Sequence, residues 1–214
     1  KRRHEVQDES DALALWLALL PAEEAGMVSS RAWDFAVSCG PYQVWLAWTE
    51  HALSATGDPG VRDSLLWMRA NVAVQAGLLE EALRAAEEKG RVAQELGWPR
   101  EAALAASLRA DVLEAHGELD EALRIRREEV IPVFEKLGDV LSRAIILGKI
   151  ADILPVCGEP DKALCILREE VIPVFEELGD LRSRAVALGQ IANILQARGE
   201  LDEALRILRK EVLP

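Results

Sequence analysis

The strongest constraint on this chain is a segment of sequence that occurs twice in succession. Residues 117–157 and residues 158–198 align without a gap, and 27 of the 41 aligned positions are identical. A third copy opens at Gly199 and continues to Pro214. Self-similarity at a period of about 20–50 residues marks an array of stacked units, because each unit buries its apolar face against its neighbours.

Each copy is predicted to form two amphipathic helices joined by a glycine turn. Apolar residues recur at steps of three, four and seven, which is the spacing of one face of an α-helix. In the first half they are Leu119, Ala122, Leu123, Val130, Val133, Phe134 and Leu137. Pro132 lies inside this stripe, and Pro173 repeats it. Because the residues after each proline keep the same phase, we predict one kinked helix rather than two helices.

The glycine spacing extends the repeat towards the N-terminus. One helix of each unit is predicted between two glycines whose separation is the same in every unit, and the pairs are Gly57 and Gly77, Gly97 and Gly117, Gly138 and Gly158, and Gly179 and Gly199. We therefore assign the repeat array to residues 57–214, with repeats closing at Gly77, Gly117, Gly158 and Gly199. Residues 1–56 are interpreted as diverged capping or junction helices, at about 8–20, 27–39 and 41–56.

A spaced pattern around the closing glycine carries a family resemblance. It reads L-x-x-I-A-x-x-L-x-x-x-G-x-L-D-x-A-L, formed here by Leu188, Ile191, Ala192, Leu195, Gly199, Leu201, Asp202, Ala204 and Leu205. This pattern resembles the tetratricopeptide (TPR) repeat. Because the units here are longer than the usual TPR unit, they are similar to a long-repeat, TPR-like subfamily of bacterial multidomain proteins. The resemblance implies an all-α, right-handed superhelix of about eleven antiparallel helices. A content of 50% hydrophobic but only 5% aromatic residues also favours helix-on-helix packing.

Charge and hydropathy argue against two classes of partner. The net charge is −12, whereas nucleic-acid binding requires clustered Lys and Arg. The apolar run at residues 13–20 is too short to span a bilayer and is interpreted as a buried helix. We therefore predict no nucleic acid and no membrane among the partners. The chain begins at Lys1 without Met and stops inside a repeat, so we expect it to be a portion of a longer protein.

No motif for catalysis or metal binding is found in the sequence. Cys39, Cys157 and Cys165 show no C-x-x-C spacing, which favours reduced thiols and a cytoplasmic location. The three histidines are isolated from one another, so no metal-ligand cluster is indicated. The sequence GDPG at residues 57–60 lacks the G-K-[ST] of a phosphate-binding loop. We predict no enzyme activity, no cofactor and no metal.

The TPR resemblance directs attention to one face of the array. In such superhelices the first helix of each repeat, which here ends at a closing glycine, lines a concave surface that binds peptides or helices. One register position on these helices is short and polar throughout, and it is occupied by Asp34, Asn71, Asp111, Asp152 and Asn193. One turn earlier stand Trp67, Ser107, Gly148 and Gly189. This column is either a partner-binding wall or a solvated surface that tolerates Asp and Asn.

The tryptophans leave a similar choice open. All six lie in the first 98 residues, and Trp45 and Trp48 fall three apart on one predicted helix. They either pack between neighbouring helices or form an aromatic contact surface, since Trp is enriched at interface hot spots.

Two functions follow from these observations. The leading prediction is a protein-interaction scaffold, namely the sensor or partner-binding array of a larger bacterial signalling or effector protein. Its partner would be a protein or peptide, and a basic one because the column is acidic. The alternative is a structural spacer whose ends stack on one another. It rests on the last helix, where Leu201, Leu205 and Leu208 lie on the apolar stripe and would support a weak homodimer.

Overall fold

A computed structural model describes residues 42–209, and these residues form an all-α fold with no β-strand. Two of its nine helices contain a π-helical turn, so each of these is given as two α-segments. The segments are α1 (Tyr42–Ala55), α2 (Pro59–Gln75), α3 (Leu79–Glu95), α4 (Pro99–His116), α5 (Leu119–Ile125), α6 (Ile131–Leu137), α7 (Val140–Ile153), α8 (Pro160–Ile166), α9 (Ile172–Glu177), α10 (Leu181–Ala197) and α11 (Leu201–Ile207). The helical repeat predicted from the sequence is confirmed. The predicted helices at 8–20 and 27–39 lie outside the described residues.

Local sequence explains where the helices start and stop. The Asp58 carboxylate accepts hydrogen bonds from the backbone N–H groups of Gly60 and Val61 at 2.8 and 2.9 Å, which caps α2. The Asp139 and Asp180 carboxylates cap α7 and α10 in the same way. Gly117 ends α4 with a φ of 85°, a left-handed conformation that a side chain at this position would strain.

The chain divides into two compact units, Lys1–Glu118 and Leu119–Pro214, called unit 1 and unit 2 below. In unit 1, the core centres on Trp45, Leu65, Met68 and neighbouring aliphatic residues of α1, α2 and α3. The Trp45 and Trp48 rings are both buried and meet edge to face, with centroids 5.9 Å apart. These two tryptophans are therefore core residues and not a contact surface. The predicted boundary at residue 56 stays a prediction.

Unit 1 also contains a buried ionic cluster. The Lys89 side chain on α3 is only 1% exposed, and its Nζ lies 2.5 Å from Asp63 Oδ1 and 2.9 Å from Glu101 Oε2. Burial raises the pKa of Asp63, although the hydrogen bond from Lys89 opposes this shift. Burial also acts to raise the pKa of Glu101. Hydrogen bonds from Lys89 and Arg100 outweigh this effect, so the pKa of Glu101 is lowered. The cluster therefore links α2, α3 and α4 through charge.

Unit 2 contains two helices that are each interrupted by a π-helical turn. Arg126–Val130 forms a π-turn between α5 and α6, and Leu167–Val171 forms one between α8 and α9. No chain reversal occurs at either proline, which agrees with the prediction of one helix, but the π-turn was not predicted. In this wider turn the Ile131 N–H bonds to the Arg126 carbonyl. The chain then enters α6, where Pro132 occupies the first turn and its missing N–H is tolerated.

The core of unit 2 is aliphatic with one phenylalanine per repeat. Phe134 and Phe175 are buried at equivalent positions, as are Val130 and Val171. The Arg143 guanidinium donates to Glu170 Oε2 at 2.7 Å and to Glu135 Oε1 at 3.0 Å. These contacts connect α7 to the helix on either side of it.

Candidate functional site

In unit 1, the predicted column is largely engaged within the protein. Trp67 and Asn71 lie on α2 and are half-buried, and the Asn71 side-chain amide donates to the Trp67 carbonyl at 2.8 Å. On α4, Ser107 is buried and Asp111 is half-buried. Asp34 lies outside the described residues. The polar side chains of unit 1 are thus placed on the predicted helices but are only partly accessible to a partner.

In unit 2, the same column is open to solvent. Asp152 on α7 and Asn193 on α10 are both exposed. Gln190 Nε2 on α10 donates to Asp152 Oδ2 on α7 at 2.7 Å, so the two helices present their exposed faces side by side. Asp152 and Asn193 thus lie on two helices that this side-chain hydrogen bond connects.

Two glycines lie one turn before these polar residues. A Cβ built on Gly148 would come no closer than 4.0 Å to another atom, the Gln190 Oε1, and a Cβ on Gly189 would meet nothing within 4 Å. A glycine inside a helix costs about 0.5–1 kcal/mol relative to alanine. Because no neighbouring atom requires these glycines, the packing of the fold does not explain them.

Exposed aliphatic side chains precede the glycines and were not predicted as site residues. Ile145 on α7 is 43% exposed and Val186 on α10 is 59% exposed. Both lie three residues before a glycine, and this shared position in the repeat is the sequence signal that could have identified them. The face of unit 2 made by these helices thus has an exposed apolar row and an exposed polar row, and between them lie the glycines, of which Gly148 is buried and Gly189 is half-buried. We call it the first-helix face, formed by Ile145, Gly148, Asp152, Val186, Gly189 and Asn193.

Unit 1 has a groove of a different kind between α1, α2 and α3. A cavity of about 390 Å³ lies between α1, α2 and α3 and has a floor of Leu53, Leu66 and Ala85. Arg69 borders it, donates to the Leu46 carbonyl at 2.9 Å and pairs with Glu81 at 2.5 Å. The charged side chains around this groove therefore pair largely with other groups of the protein.

The last helix exposes part of its predicted apolar stripe. Leu201 and Leu205 of α11 are exposed and Leu208 is half-buried, whereas Ala204 and Ile207 face the core. Among residues 42–209, no helix is long and apolar enough to cross a membrane, and no cluster of His, Cys, Asp or Glu is suited to hold a metal ion.

Comparison with solved structures now decides the fold. BtubC (BKLC) from P. vanneervenii aligns with a TM-score of 0.68 at 14% identity, covering 98% of this chain and 89% of that one. The fold is that of a TPR-like repeat protein. A second similar structure is that of a Podosopora anserina protein assigned as a kinesin light chain, which has nearly identical TPR-like repeats. It aligns with a TM-score of 0.58 at 17% identity, covering 89% of this chain and 93% of that one. A single-substitution variant of that protein aligns with a TM-score of 0.62 at 18% identity, covering 87% of this chain and 93% of that one.

Sequence comparisons do not assign the chain to a family. No protein-family model matches this chain, and no curated protein matches it. At these identities the structural likeness concerns the fold alone.

Proposed function

We propose that this chain is a non-enzymatic, partner-binding array and that the first-helix face of unit 2 receives the partner. The observation that carries the proposal is the exposure of Ile145 and Val186 beside two helix glycines that the packing does not require. A contiguous exposed apolar patch rimmed by polar groups marks an interaction site, and Ile145 and Val186 stand at equivalent positions of two helices that a side-chain hydrogen bond connects. The half-buried Gly189 at this surface allows the backbone of a partner to approach closely.

The polar row of this face suggests the chemistry of the partner. Asp152 is exposed at its edge, and the whole chain carries a net charge of −12. A protein or peptide segment that combines aliphatic residues with Lys or Arg is therefore complementary to it. We further propose that the array serves as the sensor or partner-binding part of a larger bacterial signalling or effector protein in the cytoplasm.

The test uses an array of synthetic peptides that combine Leu or Ile with Lys or Arg, followed by titration of the tightest binder. The double variant Ile145→Glu with Val186→Glu should weaken binding at least tenfold, and Asp152→Lys should weaken it and reduce its salt dependence. Val156→Glu is the matched control, because Val156 is exposed but lies at the turn before α8. If the selected peptide binds the double variant as tightly as the wild type, the proposal is wrong.

A second candidate function is that of a self-associating spacer. The exposure of Leu201 and Leu205 favours it, because two copies of the chain would bury these side chains against each other. The net charge of −12 opposes association at low salt and does so less at high salt. We expect weak dimers that strengthen with salt in sedimentation experiments. A strict monomer at high concentration and high salt would exclude this function.

A further inference from the structure

The groove of unit 1 is open at a position where α3 carries a smaller residue than the equivalent helices of unit 2. Ala85 lines the groove and lies eight residues after a closing glycine. The residues at the same position of the repeat in unit 2 are Ile125, Ile166 and Ile207, and none of them is exposed. The alanine therefore leaves space at a place where the other repeats have an isoleucine side chain.

The floor of the groove is aliphatic and comes from three helices. Leu66 of α2 and Ala85 of α3 are buried, and Leu53 of α1 is half-buried. The volume of about 390 Å³ lies within the range of small-molecule sites, which is roughly 300–1,000 Å³. The groove is thus large enough for a short aliphatic chain.

The three carboxylates at the rim of the groove already lie beside guanidinium groups of the protein. Glu81 Oε1 is 2.5 Å from Arg69 Nη2, and Glu88 pairs with Arg62. Glu50 Oε2 lies 3.5 Å from Arg69 Nη2, and the Glu50 side chain is 76% exposed. The negative charge of the rim is therefore largely compensated within unit 1.

One cation at the rim differs from its equivalents in the other repeats. In unit 2, Arg124 and Arg206 each donate from Nε to the glutamate three residues before them at 2.8 Å. The glutamate three residues before Arg84 is Glu81, which is bound to Arg69 instead. Arg84 is exposed and makes no hydrogen bond or ion pair with any of residues 42–209. Its guanidinium is left available beside an apolar floor.

From this arrangement we infer that the groove of unit 1 binds a small aliphatic carboxylate. The aliphatic chain covers Leu53, Leu66 and Ala85, and the carboxylate pairs with the guanidinium of Arg84. A guanidinium presents its N–H donors in a fork that matches the two oxygens of a carboxylate. A cationic ligand would instead compete with Arg62 and Arg69 for their carboxylates. This site lies wholly in unit 1 and is independent of the first-helix face.

The direct test is a calorimetric titration of octanoate into the full chain, with octanol and octylamine as uncharged and cationic probes of the same length. We expect saturable binding of octanoate that weakens with salt, and weaker binding of both other probes. Methyl NMR spectra should show that octanoate shifts the signals of Leu53 and Ala85.

Two variants separate the apolar and the charged part of the site. Ala85→Ile fills the groove with the side chain that unit 2 has at this position, so it should weaken octanoate binding at least tenfold. Arg84→Gln should weaken it two- to fivefold, as is usual for loss of one exposed ion pair. Arg124→Gln is the matched control at the equivalent position of unit 2 and should leave the affinity unchanged. Circular dichroism checks that each variant is folded, and the exposed position of Arg84 makes its substitution safe for the fold.

Absence of octanoate binding at millimolar concentration, or equal affinity for the folded Ala85→Ile and Arg84→Gln variants, would overturn the inference. Binding of a peptide with a C-terminal leucine but not of octanoate would also overturn it, because the ligand would then be a polypeptide. The double variant Ile145→Glu with Val186→Glu should bind octanoate as the wild type does. A failure of the first-helix face as a partner site is therefore distinguishable from a failure of this groove.

Discussion

The first helices of the two units differ most in the residues that they present to solvent. In unit 2, exposed Ile145 and Val186 each precede a helix glycine by one turn. The corresponding residues of unit 1 are Ser64 and Leu104, which are half-buried, and a tryptophan and a serine replace the glycines. The repeat pattern thus constrains the buried positions of these helices, while the exposed positions diverge and can carry binding.

The cores of the two units also differ at one equivalent position. Counted back from the glycine that ends the helix, Lys89 in unit 1 corresponds to Val130 and Val171 in unit 2, and all three are buried. Asp63 and Glu101 hold the Lys89 ammonium in unit 1. In the repeat that contains Val171, the position of Asp63 is taken by Ala144 and that of Glu101 by Ser183. The same place in a hairpin is therefore stabilised by an ionic cluster in one unit and by apolar packing in the other.

Helix length is the third difference between the units. The segment from Gly117 to Gly138 is one residue longer than the equivalent segment from Gly77 to Gly97. Because the extra residue is taken up by the π-turn, Phe134 remains in the core position that Ala93 occupies in unit 1. An insertion that would rotate every later side chain of an α-helix by about 100° is absorbed within one turn.

The largest effect is expected from deleting one exposed residue from each type of helix. Deletion of Glu87 from α3 should rotate Lys89 and Ala93 out of the core and unfold the hairpin. Deletion of Arg127 from the first π-turn should convert it to an α-turn at a cost below about 2 kcal/mol in the free energy of unfolding. Urea denaturation followed by circular dichroism measures both. Equal losses would show that the π-turn does not absorb the extra residue.

The next effect concerns the ionic cluster. Lys89→Val leaves two partly buried carboxylates without their ammonium partner, and we expect a loss of about 3–5 kcal/mol in the free energy of unfolding. The triple variant Asp63→Ala, Lys89→Val and Glu101→Ser copies the surroundings of Val171 and should recover most of this loss. If the triple variant is as unstable as Lys89→Val alone, the two cores are not interchangeable.

The smallest effect is a pH dependence at a helix cap. Hydrogen bonds from the Ser183 backbone and side chain lower the pKa of Asp180 below its ordinary value. A carboxyl group with a lowered folded-state pKa contributes stability above its unfolded pKa, and this contribution is lost as pH falls through the folded value. Asp180→Ala should therefore be less stable than the wild type at pH 6, and the difference should shrink as pH falls below the ordinary pKa of an aspartate. A constant difference between the two would exclude the cap as its source.

Much of the fold was predictable from the sequence because glycine spacing and helical stripes report buried positions directly. The π-turn was not, since the added residue becomes visible only when the shorter repeat of unit 1 is aligned with the longer repeats of unit 2. Lys89 was missed because lysine usually indicates a surface position, and only its contacts with Asp63 and Glu101 explain its burial. The described members of the polar column, Asn71, Asp111, Asp152 and Asn193, lie on helices, and their role stays a prediction. Ile145 and Val186 were overlooked because one aliphatic residue on a helix does not indicate whether it is exposed.

The central claim is that the first-helix face of unit 2 serves to bind a partner and that the stability of the fold does not require its two glycines. The double variant Gly148→Ala with Gly189→Ala tests it without any knowledge of that partner. Because no atom crowds either position, two alanines should raise the free energy of unfolding by about 1–2 kcal/mol in urea denaturation. A fall in the free energy of unfolding would mean that the fold itself requires these glycines, which would contradict the account.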